Sequence, residues 1–169
     1  MLIGLLVVLV LLLEAGCDDK ADKVVNQKSE GFGLFLTARD VAPDQLLALA
    51  HIEAAEQPLI AAADIVSYAR ESHSMVLTDQ ALNRLEDLEI TTAGKSFLVC
   101  VDGQLEYTGA FWVPFSSKSF DGAVILLLKP LSDTLRIQLG YPESIDGTYP
   151  DPRADPDVMA ALESAGKLK

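Results

Sequence analysis

The sequence predicts an α+β domain: a mostly antiparallel sheet of about six strands with helices packed on one face. Three observations lead there. Apolar, β-branched runs recur at short intervals and are joined by short turns, the mark of consecutive antiparallel strands. Between them lie stretches with apolar residues at helical spacing and capping residues at their heads. Residues 31–169 are long enough to bury one core without disulfide help. No internal repeat and no low-complexity tract interrupts them.

The elements follow in order. Gly33 to Thr37 is a short strand. Pro43 suits the first turn of a helix, residues 45–50 supply its apolar face, and Pro58 breaks the pattern. Asp64 to Tyr68 and Ser74 to Leu77 form a hairpin across residues 69–73. Thr78 is an N-cap, Asp79 favours the positive end of the helix dipole, and Ala81, Leu82, Leu85 and Leu88 share one buried face. Ser96 to Val101 and Leu105 to Trp112 flank Asp102-Gly103, the pair a type I′ turn prefers. Gly109 inside the returning strand predicts a bulge or a close backbone approach. Val113 to Asp121 is a loop, Ala123 to Leu128 is a buried strand ended by Lys129-Pro130, and Leu135, Ile137 and Leu139 alternate as a half-exposed strand. Residues 140–156 are rich in proline and read as a surface loop. Asp155 caps a last helix with Pro156 at its first position, Val158, Met159 and Leu162 facing the sheet, and Gly166 just past its end.

The amino terminus has a different character. Leu2 to Leu13 are twelve residues without a charge, followed by Glu14-Ala15-Gly16-Cys17. As a helix they would reach about 18 Å, short of the ~30 Å a spanning helix must cross. An apolar core of that length ending in small residues and a cysteine resembles a bacterial lipoprotein signal peptide. The resemblance implies cleavage before Cys17 and acyl chains such as palmitate on its sulfur. Residues 1–16 are then the signal peptide, 17–30 a polar, flexible tether and 31–169 the single globular domain. The competing reading is an apolar helix of the core. The abrupt change to polar residues from Cys17 through Glu30 opposes it. Asp18 after the cysteine resembles the proteobacterial signal for retention, which implies the periplasmic face of the inner membrane.

Charge excludes one partner class. The chain holds 13 Lys and Arg against 25 Asp and Glu, a net charge of −12, and its basic residues are scattered singly. Such a surface repels phosphate backbones, so no nucleic acid is expected as partner. It also opposes a second, electrostatic contact with anionic lipid. Of the two cysteines, Cys17 belongs to the lipid and Cys100 lies in a buried-strand pattern as a small hydrophobe.

No Gly-rich phosphate loop, G-x-S-x-G elbow or H-E-x-x-H helix is present. His51, Glu53 and Glu56 loosely resemble metal ligands, but a solvated helix end explains them as well, and no metal or cofactor is expected. Asp102 and Asp121 are the acids a periplasmic hydrolase with a carboxylate pair would use, the alternative to a binding role. Their turn and loop positions explain them without catalysis, and no catalytic residue is assigned.

One segment stands apart. Residues 107–122 contain the only tryptophan, three of the six phenylalanines and a tyrosine, much of them at a strand end and in a loop. Aromatics on a loop make contact hot spots, so Tyr107, Phe111, Trp112 and Phe115 form the candidate partner-binding patch. The other reading folds them back as a lid on the core.

Residues 65–125 resemble a known family. Leu77-Thr78-Asp79-Gln80-Ala81 with Leu85, then Gly94-Lys95, then residues 97–103, and finally residues 120–125 are similar to the periplasmic head subdomain of the protein-export component SecD. The family places Ala-Pro after the returning strand, where this chain has Gly109-Ala110-Phe111-Trp112. The chain as a whole resembles small proteobacterial lipoproteins of unassigned role. The resemblance implies an extracytoplasmic α+β module that contacts other polypeptides, without export activity of its own. The expectation is a lipid-anchored, non-catalytic binding or accessory domain. Its partners are the membrane, through the lipid, and another envelope protein.

Overall fold

The structure is a computed structural model that describes residues 30–46, 51–143 and 151–169. The leader, Cys17 and the expected tether up to residue 29 lie outside the described residues, as do residues 47–50 and 144–150.

Turn and cap chemistry places the elements. β1 (Phe32–Leu36) is followed by α1 (Pro43–Leu46), with Pro43 at its first position. β2 (Ile60–Ala61) and a 3₁₀ turn (Ala62–Asp64) lead into β3 (Ile65–Ala69) and β4 (Ser74–Leu77). Thr78 caps α2 (Asp79–Glu86), its Oγ1 accepting from the Ala81 N–H at 3.4 Å. β5 (Lys95–Val101) and β6 (Gln104–Trp112) are joined by Asp102 at φ 50° and Gly103 at φ 79°, the left-handed pair of a type I′ turn. β7 (Phe120–Leu126) and β8 (Thr134–Tyr141) follow. A second 3₁₀ turn (Pro152–Ala154) leads to α3 (Pro156–Ser164), whose cap Asp155 accepts from the Asp157 and Val158 N–H groups at 2.9 and 3.3 Å.

The α+β class stands, but the sheet is larger than about six strands. It has eight, in the order β2-β1-β5-β6-β7-β8-β4-β3. It is mixed: among the eight strands every pairing is antiparallel except β6 with β7, which run parallel with Gly109 opposite Ala123. A parallel pair ordinarily needs a crossover of about a dozen residues or more. Here residues 113–119 return alone, and their brevity made an antiparallel hairpin the natural expectation. Gly109 makes the close approach: a Cβ there would overlap the Phe97 ring and the Ala123 carbonyl. The irregularity in β6 falls at Glu106, between the pairs Val99–Tyr107 and Cys100–Leu105.

β2 and β3 form opposite margins of the sheet, yet only Ala62–Asp64 separate them in the chain. So short a link spans at most about 15 Å, so the sheet must curl until its margins meet. Arg84 of α2 fastens this seam. Its Nη2 lies 2.6 Å from Asp64 Oδ2 and its Nε donates to the Leu59 carbonyl at 3.1 Å. Asp64 Oδ2 also accepts from the Ala61 N–H at 2.9 Å. The outer edge of β3 is covered by the last residues: Tyr68 N–H donates to Lys167 O at 2.7 Å and Lys169 N–H to Tyr68 O at 2.8 Å.

Alternation along the strands divides the apolar residues between two faces. Leu34, Phe97, Val99, Phe111, Ile125 and Ile137 point to the inner face, where α2 (Ala81, Leu85) and α3 (Val158, Met159, Leu162) close the main core. Phe35, Leu98 and Cys100 point the other way and pack against Leu46 of α1 and Ile52. The sequence predicted helices on one face; the structure instead puts α2 and α3 on the inner face and α1 on the outer. α1 covers the outer face because β5 is apolar at every position from Phe97 to Val101 and needs cover on both sides.

Candidate functional site

The four aromatic residues of the candidate patch part company. Tyr107 and Phe111 face the main core, and Trp112 is 2% exposed on the outer face. Phe111 stacks obliquely on Phe97 with ring centroids 5.1 Å apart. Trp112 packs between Phe120 at 5.6 Å and Tyr141 at 6.0 Å. Gly94, at φ +78°, lies against the indole where no Cβ would fit. The indole N–H is buried and meets no acceptor. These three side chains are therefore corrected to core: they sit on paired positions of β6, an interior strand buried on both faces. Phe115 alone is at the surface, 74% exposed.

Phe115 has company there. It lines an apolar groove of about 420 Å³ with Leu88, Ile90, Val113, Leu127 and Leu128, and Glu89 and Lys129 also border it. Leu128 is 65% exposed, a second correction, since the strand pattern placed it in the core. β7 ends at Leu126, and Leu127 still turns inward while Leu128 stands out beside Lys129-Pro130. Three chain segments build the groove: the exit from α2, the turn after β6 and the exit from β7. Lys129 Nζ donates to the Glu86 and Leu88 carbonyls, where a cation suits the negative end of α2. The Leu131 N–H donates to the Glu86 carboxylate. The Ser116 N–H donates to Val113 O at 3.1 Å, and Ser116 Oγ to Thr92 O at 2.6 Å. These bonds hold Phe115 and Leu128 outward on a fixed backbone.

The acids named for a hydrolase are not brought together. Asp102 Oδ1 accepts from the Gly31 N–H at 2.7 Å within the hairpin end, and Asp121 lies exposed on β7. Asp102 lines a different groove, about 610 Å³, between the β5–β6 turn and α3, and Asp121 does not border it. Near that groove Glu106, Asp155 and Asp157 offer carboxylate oxygens within 4.8 Å of one another. Asp155 already spends its Oδ1 on the cap of α3. His51 pairs loosely with Glu53 at 3.9 Å, both side chains about half exposed, and Glu56 is also exposed. Burial, and then the Glu106 carboxylate, push the Cys100 thiol up to about 12, which keeps it a thiol.

A cluster that sequence spacing did not reveal lies under the β3–β4 turn. His73, at φ 50°, brings Nδ1 to 3.1 Å from the Tyr68 hydroxyl and Nε2 to 3.9 Å from Asp151 Oδ2. Arg153 grips Asp151 through Nε at 2.8 Å and Nη2 at 2.6 Å, and its Nη1 donates to Ile137 O at 2.9 Å. Burial, then the Arg153 charge, lower the His73 imidazole below its ordinary value. Arg153 holds the Asp151 carboxyl down. Three of the five guanidinium N–H donors are engaged in this way, so the cluster fastens the second 3₁₀ turn to the sheet.

No protein-family model, no curated protein and no solved structure matches this chain.

Proposed function

We propose that this chain is a lipid-anchored binding or accessory domain, held at the periplasmic face of the inner membrane by acyl chains on Cys17. In this reading it has no catalytic role, and it contacts another envelope protein through the groove around Phe115. The observation that carries the contact is the exposure of Phe115 and Leu128 on the rim of one apolar groove. Large apolar side chains clustered in this way on a fixed backbone mark interaction sites. The leader before Cys17 and the resemblance to an extracytoplasmic head subdomain support the address. The strongly acidic charge supports a partner other than nucleic acid. A carboxylate-pair hydrolase has less support, because Asp121 does not border the groove that Asp102 lines.

The test is a photo-crosslinking residue placed at Phe115 in cells. A discrete adduct to one envelope protein, lost when Leu128→Glu is added, is expected. Adducts unaffected by Leu128→Glu would remove the groove as the contact. Palmitate incorporation that disappears in Cys17→Ala checks the anchor separately.

A further inference from the structure

The chain enters the domain on the wall of the second groove, the one of about 610 Å³ between the β5–β6 turn and α3. Gly31 lines that groove and is held there by two bonds. Its N–H donates to Asp102 Oδ1 at 2.7 Å, and its carbonyl accepts from the Asp102 N–H at 3.1 Å. The residues that precede Gly31 therefore start at the groove itself. Phe32, Val101 and Ala161 make its apolar part, and Asp102, Glu106 and Asp157 its acidic part. Glu106 is the extra residue at the irregularity of β6, left out of the pairing with β5. Its carboxylate falls with those of Asp155 and Asp157 in a cluster whose oxygens lie within 4.8 Å of one another. Like charges at that spacing favour a cation beside them.

The sequence just before Gly31 carries the complement. Residues 23–29, Lys-Val-Val-Asn-Gln-Lys-Ser, hold two lysines, two valines and no acid. Seven residues span at most about 25 Å. The nine residues of α3 rise about 14 Å, so the segment is long enough to follow the groove along that helix. It is joined to the groove wall through Glu30 and Gly31. A link so short holds the segment at an effective concentration on the order of millimolar, so a weak contact suffices to fill the groove.

We propose that residues 23–29 of this same chain occupy the α3 groove, the lysines at its acids and Val24-Val25 on its apolar part. The docking rests on the groove and the segment's composition, not on the lipid-anchor reading. Its consequence rests on both. Only residues 18–22 then remain to reach Cys17, at most about 18 Å in place of about 45 Å for residues 18–30, so the body is drawn toward the bilayer.

The test is limited trypsin digestion of the full chain in detergent micelles, with cleavage after Lys20 as the internal reference. Ala160 of α3 is exposed and borders the groove. Ala160→Trp fills the groove and leaves the segment's own sequence untouched. It should speed cleavage after Lys23 and Lys28 about tenfold or more relative to cleavage after Lys20. Asp157→Lys, also at an exposed position, should do the same by repelling the lysines. An unchanged ratio in either variant overturns the proposal. So does a ratio that varies with protein concentration, which puts the segment of a second copy in the groove. So does a ratio that changes with EDTA, which makes the acids a cation site. Palmitate incorporation that survives Cys17→Ala removes the drawn-in body, while the digestion result stands by itself.

Discussion

Tyr68 Oη and His73 Nδ1 lie 3.1 Å apart across the turn that joins β3 to β4. The phenol is 2% exposed, and burial pushes its pKa up to about 12, so it stays protonated at every ordinary pH. A neutral imidazole accepts that proton; a protonated one cannot. Arg153 adds its repulsion, and the nearby Asp151 carboxylate only partly offsets it. The folded state thus binds the His73 proton more weakly than the unfolded chain. Stability from this group is fully present above the unfolded value near 6.5 and is lost as pH falls through the lower folded value. Urea denaturation between pH 7.5 and 5.5 should show a falling midpoint, and His73→Gln should flatten that fall. A midpoint that rises on acidification would mean that the pairing with Asp151 dominates.

The same phenol gives a spectroscopic check. Tyr68 should ionise near 12 rather than near 10, with burial as the cause. Absorbance at alkaline pH, compared between the native chain and Tyr68→Phe, isolates it. Removing the hydroxyl should also cost about 1 kcal/mol.

Gly94 and Gly166 both have positive φ, at 78° and 68°, but only Gly94 has a ring against it. Gly166→Ala should cost about 1–2 kcal/mol from backbone strain alone. Gly94→Ala must also displace the Trp112 indole, so its loss should be larger and accompanied by a shift in tryptophan emission. Equal losses with unchanged emission would contradict the packing.

Arg84 reaches two partners across the seam, Asp64 and the Leu59 carbonyl. Charge-assisted bonds of this kind are worth about 1.5–3 kcal/mol when a partner is left unmatched. The seam is partly exposed, with side chains 34% and 16% accessible, so the lower end of that range is expected for Arg84→Met. Hydrogen exchange at Ile60 and Ala61 should quicken first, because Ala61 donates to the same Asp64 oxygen.

Core and groove aromatics should separate cleanly. Phe111→Ala should cost about 3–5 kcal/mol, as a fully buried ring does. Phe115→Ala and Leu128→Ala should leave the unfolding midpoint almost unchanged, within about 0.5 kcal/mol. Thermal unfolding of the three variants decides it.

Local chemistry was the legible part of the fold. Thr78, Asp155 and the Asp102-Gly103 pair each do in the structure what their residue types imply, because caps and turns are decided within a few residues. The parallel pairing of β6 with β7 was not legible, since it depends on register between separate strands. β2 was too short to show a period. Phe115 was legible as an aromatic in a loop, while Trp112 and Phe111 were misplaced because alternation cannot separate two buried faces of an interior strand. Leu128 and the Tyr68–His73–Asp151–Arg153 cluster depend on contacts between distant segments, which no local pattern encodes.

The three-residue link between the two sheet margins has a consequence for how the chain comes apart. One margin, β2, lies before this link and the other, β3, after it. A single proteolytic nick at Ala62–Asp64 would sever no strand, yet it would turn a closed hoop into a split ring whose two ends hold together only by non-covalent clasp.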